Sequence, residues 1–261
     1  MPTLRLFHVD AFTERTFCGN PAAVVPLEAW PEDDLMQHIA HENNLAETAF
    51  FVPRETGAYD IRWFTPTTEV DLCGHATLAS AHVLWKHLGV AGDNLVFHSR
   101  SGALPVARDR DMLVLDFPAR PAASVPVTPE IAAALGRMPA ELYQARDYMA
   151  VFENKRDVHE LVPDMAALAA IASHGFIVTA PATRHDFVCR FFAPAVGVPE
   201  DSVTGSAHCT LVPFWAKRLG KSSLTSHQVS RRGGELFCQD RGDRILIGGR
   251  CADYLTGQIS V

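Results

Sequence analysis

Three short stretches of this chain carry side chains able to move a proton or hold an anion. Glu47 stands in Leu45-Ala46-Glu47-Thr48-Ala49-Phe50, at the mouth of an apolar strand. Cys73-Gly74-His75 and Thr204-Gly205-Ser206 each set a glycine beside polar side chains, just ahead of an apolar segment with a tryptophan. Asp201 lies shortly before the second of them. The first turn of a helix has free backbone N–H groups and a positive dipole end, which together make an anion site. Glycine there lets a ligand come close to the backbone. The plainer reading is two tight turns before helices. A carboxyl sheltered from water can take up and return a proton near neutral pH. Glu47 is one carboxyl that could be so sheltered. Its plainer reading is a solvated acid at the start of a strand.

The elements that must position these residues occur twice. Phe64 to Gly89 and Phe192 to Gly220 both open on Phe-x-Pro, cross an acidic loop and end at Leu-Gly. Phe64 and Phe192 are 128 positions apart, whereas Gly74 and Gly205 are 131 apart. Self-similarity near half the chain length points to a duplicated domain. The expected division is 1–118 and 119–261, with Ala119 to Pro129 as a Pro- and Ala-rich linker and Tyr254 to Ser260 as a strand returning to the first domain. Strands are expected at Leu4–Ala11, Ala22–Pro26, Thr48–Pro53, Tyr59–Thr65, Asn94–Ser99 and Met112–Phe117. Pro31 to Asp34 starts a helix, with acids facing the dipole, and Asn43-Asn44 stops it. Further helices are expected over Ala76–Leu88, Asp164–Ala172 and Ser206–Leu219, the last kinked or cut short at Pro213. Many short strands with one long helix per half make an α+β protein.

The 261 residues suffice for two cores of ordinary size, and 48% hydrophobic with 20% charged residues is a soluble composition. Net charge is −7, with no basic run longer than Arg231-Arg232, so neither nucleic acid nor an anionic membrane is an expected partner. Six cysteines without a Cys-x-x-Cys pair, and no long apolar leader, suggest a cytoplasmic protein with reduced thiols. No apolar run reaches the length of about 20 residues that a membrane span needs. His41-Glu42-Asn43-Asn44-Leu45 begins like a zinc-protease motif but ends in Leu, so no metal site is expected there. Gly-x-Ser-x-Gly and a phosphate loop are both missing.

The blocks Leu45–Phe50, Asp71–Thr77 and Glu200–Ala207, with Val9–Phe12 and Cys18-Gly19-Asn20-Pro21, resemble the signature of the phenazine-biosynthesis PhzF-like family. They appear in family order across almost the whole chain. The resemblance implies a diaminopimelate-epimerase-like fold: two pseudo-symmetric domains, each a curved mixed or antiparallel sheet around a central helix, with the active site between them. It implies a cofactor-independent isomerase, often a homodimer, acting on a small carboxylate-bearing substrate. Glu47 then matches the acid/base, and His75 and Asp201 match pocket residues that orient substrate and support Glu47. Gly74, Gly205 and Ser206 match the anion-binding helix starts, and Cys73, Thr204, Asn20 and Ala46 complete the substrate's surroundings. Ser206 alternatively caps its helix. Ala46 departs from the serine of the phenazine enzyme and removes one polar contact. Cys73 matches the neighbourhood of a catalytic base in related epimerases, but the equivalent second residue is Thr204, a poor base. A racemase or epimerase using Cys73 and Glu47 stays an alternative, as does a non-catalytic protein that binds small acids; Cys73 could equally be a small buried apolar residue.

Overall fold

A strand covered on both faces reads as an unbroken apolar run. Ala49-Phe50-Phe51 is such a run, and all three residues are buried in the computed structural model, which describes residues 3–261. The first half supplies β1 (Thr3–Ala11), β2 (Asn20–Pro26), α1 (Asp33–Asn43), β3 (Glu47–Glu55), β4 (Ala58–Phe64), β5 (Glu69–Val70), α2 (Gly74–Lys86), β6 (Asn94–Ser99), β7 (Gly102–Asp109) and β8 (Met112–Pro118). The second supplies β9 (Ala123–Val125), α3 (Pro129–Leu135), β10 (Glu141–Gln144), β11 (Tyr148–Val151), α4 (Lys155–Glu160), α5 (Met165–Ala170), β12 (Phe176–Pro181) and β13 (Phe187–Ala193). It continues with β14 (Val198–Asp201), α6 (Gly205–Leu219), β15 (Ser223–Gln228), β16 (Gly234–Asp240), β17 (Arg244–Gly249) and β18 (Cys251–Ser260).

These elements fall into two units. One holds the described residues up to Asp116 together with Ile247–Val261; the other is Phe117–Leu246. The sheet of the first runs β18-β1-β2-β3-β4-β6-β7-β8, antiparallel except for the parallel pairs β2–β3 and β4–β6. That of the second runs β9-β10-β11-β12-β13-β15-β16, antiparallel except for β11–β12 and β13–β15. The parallel pairings occupy the same places in the two orders, so the duplicated sequence folds to a duplicated topology. The α+β architecture is the expected one. Among the described residues no helix is long and apolar enough to cross a membrane.

The α2 helix is buried almost all round, as a helix without a polar face must be. Ala76, Ala79, Ser80 and Ala81 keep it thin, so β1, β2, β3 and β18 pack against it. The Thr77 and Ser80 hydroxyls donate to the Cys73 and Ala76 carbonyls, which satisfies polar groups that have no water. In the other unit α6 packs on β15 and β16, and Trp215 stacks on Phe187 with ring centroids 5.6 Å apart. The opposite faces carry separate cores. Leu6, Met36, Ile39, Phe50 and Phe64 pack under α1; Leu135, Val158, Leu168, Phe176 and Phe192 pack under α3, α4 and α5.

Three local expectations need correction, and one strand was not expected. Pro213 does not interrupt α6, which runs from Gly205 to Leu219. The carbonyl that loses its helical partner to the proline belongs to Cys209, and it accepts instead from the backbone N–H of Arg120 at 2.8 Å. The Pro- and Ala-rich stretch from Ala119 is structured rather than a free linker. Residues 123–125 pair with β10, Thr128 caps α3 by accepting from the Ile131 N–H at 3.3 Å, and Pro129 lies in the helix's first turn. Residues 102–109 form a strand, hidden in the sequence by turn signals at both ends. The α2 helix also closes at Lys86, short of the expected Leu88.

One ion pair recurs in both units. Arg62 on β4 forks onto Glu69 on β5, Nε to Oε1 at 2.7 Å and Nη2 to Oε2 at 2.8 Å. Arg190 on β13 forks onto Glu200 on β14 at 2.7 and 3.0 Å. The arginines are 128 positions apart and the glutamates 131, the same two offsets as the flanking motifs. The remaining guanidinium nitrogen anchors an outer helix: Arg62 reaches Asp33 at 2.7 Å, and Arg190 reaches the Val158 and Leu161 carbonyls at 3.1 and 2.7 Å. Lysine cannot make this planar fork. Arg190→Lys is expected to destabilise the protein by about 2–3 kcal/mol, because charged and carbonyl acceptors lose their donors. Arg156→Lys, at an exposed pair with Glu160, is expected to leave stability almost unchanged. Urea unfolding of both variants decides; equal losses would deny the fork its role.

Candidate active site

The first cluster forms where β2, β3 and α2 all begin. Asn44, the C-cap of α1, takes the left-handed conformation at φ 47° and turns the chain toward β3. Glu47 is the first residue of that strand and lies opposite Ala22 of β2 in parallel register. Asn20 opens β2 at the same end. It is set there by the turn before it, where Asp10, buried at 1% exposure, accepts from the Phe17 N–H at 2.9 Å. Gly19 has no substitute in that turn: its φ is +66°, and a Cβ would stand 2.2 Å from the Ala11 carbonyl oxygen.

His75, in the first turn of α2, joins these residues. Its Nε2 lies 3.2 Å from Glu47 Oε2. Its Nδ1 lies 3.2 Å from Asn20 Nδ2 and 3.5 Å from Cys73 Sγ. Glu47 Oε2 and His75 Nε2 are both shielded from solvent, yet they are not aligned as a hydrogen bond. In the neutral ring, an Asn20 amide donating to Nδ1 places the proton on Nε2, toward the carboxylate. Burial opposes charge on the His75 ring, but the Glu47 carboxylate facing it favours that charge and its pKa is raised above the usual value. Burial, reinforced by the charge of Glu47, pushes the Cys73 thiol up. Cys73 therefore stays a thiol, which disfavours it as a base. Glu47, Cys73 and His75 also place ligand-type atoms within 4.8 Å of one another, but a metal would need the thiolate that this environment resists. Ala46 is exposed beside them.

The second cluster lies in the other unit, at the start of α6. Thr204 is the N-cap of this helix as Cys73 is of α2, and Gly205 is buried in its first turn. The Thr204 hydroxyl donates to Asp201 Oδ2 at 2.6 Å, so its proton is committed and it is no base. Gln228, fully buried at the end of β15, ties the loop together. Its Oε1 accepts from the Thr204 N–H at 2.8 Å, and its Nε2 donates to the Asp201 carbonyl at 2.8 Å and to Thr204 Oγ1 at 3.1 Å. Ser206 does not cap the helix; its Oγ lies 3.3 Å from Arg146 Nη2. Arg146 in turn leans on Asp147, which is 1% exposed and also contacts His174 Nδ1 at 2.9 Å. Burial alone would raise the Asp147 carboxyl, but His174 and Arg146 hold it below the usual range.

The structure thus brings Glu47, Cys73, His75 and Asn20 together in one unit, and Asp201, Thr204, Gly205 and Ser206 together in the other. Sequence reasoning missed Gln228, Arg146, Asp147 and His174. None belongs to a motif, and only their contacts reveal them.

The chain matches the PhzC-PhzF family, described as phenazine biosynthesis-like protein, over residues 9–257. A protein named as an uncharacterized isomerase of Pseudomonas aeruginosa is 53% identical over 98% of each chain. The crystal structure of a PhzF-family phenazine biosynthesis protein from Enterococcus faecalis superposes with a TM-score of 0.97, at 45% identity and with 100% of each chain covered. The structure of a predicted epimerase from Pseudomonas aeruginosa, 19% identical over 99% of each chain, shares the fold with a TM-score of 0.76.

His208 couples the start of α6 to pH. Its Nδ1–H donates to the Thr204 carbonyl at 2.9 Å and its Nε2 accepts from the Ser226 hydroxyl at 2.9 Å. Burial pushes its pKa down from 6.5 to about 4. Between those values the unfolded chain binds a proton that the folded chain refuses, so stability falls as pH drops through this window. The expected loss from this residue is about 3 kcal/mol by pH 4. Urea unfolding across that range should show a steeper pH dependence for the unaltered protein than for His208→Gln; parallel curves would contradict the assignment.

Proposed function

The chain belongs to the phenazine biosynthesis-like PhzC-PhzF family, which is a family of isomerases, and on that premise we propose that it moves a proton between carbon atoms of a small carboxylate-bearing substrate, with Glu47 as the acid/base. The observation that carries this reading is Glu47 Oε2, shielded from water and facing the ring nitrogen of His75 at 3.2 Å. A carboxylate so placed accepts a proton from an acidic C–H. The electrons of that bond spread into the substrate's unsaturation, and the same carboxyl returns the proton at a second carbon. Nothing is oxidised or reduced, so no redox cofactor is required.

His75 orients the carboxylate and, when protonated, offsets its charge. The first turn of α2, beside Glu47, holds the substrate's carboxylate through free backbone N–H groups, and the first turn of α6 offers the same groups in the second unit. Arg146 adds positive charge beside Ser206. Asp201, positioned by Thr204 and Gln228, offers its carboxylate to a donor group of a small polar ligand. The raised Cys73 thiol weighs against a racemase built on that residue.

Incubation with a panel of small unsaturated and amino-acid-like carboxylic acids in heavy water, followed by NMR, tests the proposal. Regiospecific deuterium incorporation is expected. Glu47→Gln should slow it about 10²–10⁴-fold while a bound acid is still detected. Cys73→Ser should keep most of the activity, and Asp201→Asn should raise KM more than it lowers kcat. Loss of exchange in Cys73→Ser with Glu47→Gln still active would overturn the assignment. Stereochemical inversion at a single carbon would favour an epimerase.

A further inference from the structure

At the far end of α2 from His75, three ligand-type side chains converge. His82 projects from the last turns of the helix, His87 is its C-cap, and Asp253 comes from β18. Nε2 of His82 lies 2.9 Å and Nε2 of His87 3.0 Å from the same carboxylate oxygen, Oδ1 of Asp253. Lys86 Nζ lies 2.7 Å from the other oxygen, Oδ2. All three potential ligand atoms lie within 4.8 Å of one another. The His82, His87 and Asp253 side chains are 13%, 20% and 24% exposed, so the cluster is held by packing yet open to water. None of these residues takes part in the reading of Glu47 given above.

Two imidazoles and one carboxylate form the donor set that a zinc-type cation takes when it keeps its fourth position for water. Tetrahedral coordination at zinc's usual bond lengths spaces neighbouring ligand atoms by about 3.3 Å. The Nε2–Oδ1 separations of 2.9 and 3.0 Å need to open only slightly to admit the ion. Lys86 confines Asp253 to ligation through Oδ1 and offsets its charge. The Phe7 ring, 4.9 Å from that of His87, fixes the imidazole plane. Hard cations such as Mg²⁺ and Ca²⁺ prefer all-oxygen ligands and do not suit this set.

We propose that His82, His87 and Asp253 form a binding site for a divalent zinc-type cation that ties β18 to α2. The site would act on stability, because it bridges the central helix and the strand that closes the first sheet.

Chelator-treated protein titrated with Co²⁺, whose visible band reports coordination geometry, tests the proposal. Expected are one Co²⁺ per chain with a tetrahedral-type spectrum, its displacement by Zn²⁺, and a higher thermal midpoint with Zn²⁺ bound. His82→Ala with His87→Ala should abolish all three. Glu47→Gln with Cys73→Ser should leave the spectrum in place, which separates this site from the other ligand-type cluster. Lys86→Met, which frees Oδ2, should bind at least as tightly. Should the double alanine variant fail to fold, His82→Gln keeps a donor for Asp253 while removing the imidazole ligand, and is expected to lose the tetrahedral band. No Co²⁺ bound at submillimolar concentration, or binding that survives loss of His82, overturns the proposal.

Discussion

Two guanidinium forks, Arg62 on Glu69 and Arg190 on Glu200, fix the short strands that lead into the two site helices. Each fork is mostly shielded from solvent and satisfies both carboxylate oxygens, so the charges are paired in the geometry that makes burial tolerable. Four residues beyond each glutamate stands a helix N-cap, Cys73 in one unit and Thr204 in the other. A shift of β5 or β14 would therefore move the backbone N–H groups of the helix start with it. The third guanidinium nitrogen ties the same arginine to an outer helix, so the site loop and the outer core share one anchor in each half.

The two halves keep this scaffold and diverge in what they mount on it. Cys73 and Thr204 hold the same N-cap position, and His75 and Ser206 the same place in the following turn. In the first unit the environment favours charge on His75 and opposes it on Cys73. In the second, His208 is kept neutral by burial, and the local hydroxyl proton is spent on Asp201. Proton-transfer potential is thus concentrated beside Glu47, and polar binding capacity beside Asp201. Duplication supplied two helix starts, and side-chain chemistry made them unequal.

Much of this was legible in the sequence because it was written twice. The Phe-x-Pro and Leu-Gly offsets located both central helices, and Asn43-Asn44 marked a real left-handed stop. Strand runs such as Ala49–Phe51 and Phe187–Phe192 declared themselves by apolar content. What escaped was non-local. Pro213 reads as a helix breaker until the N–H of Arg120 is found on the Cys209 carbonyl. Gln228 is one glutamine among several until its amide is seen holding Thr204 and Asp201. Arg62 and Arg190 obey the repeat offsets, and a search for charged pairs at those spacings would have found the forks.

The pairing of β18 with β1 bears on how the protein is made. Residues 117–246 form a continuous unit, whereas the other unit needs Ile247–Val261 alongside β1. During synthesis from N- to C-terminus, the uninterrupted unit can complete its sheet first. The edge of β1 that β18 will cover waits, with its N–H and C=O groups unpaired, until Cys251–Ser260 leaves the ribosome. A nascent chain stalled before that segment would expose an open strand edge, the feature that recruits chaperones or other chains.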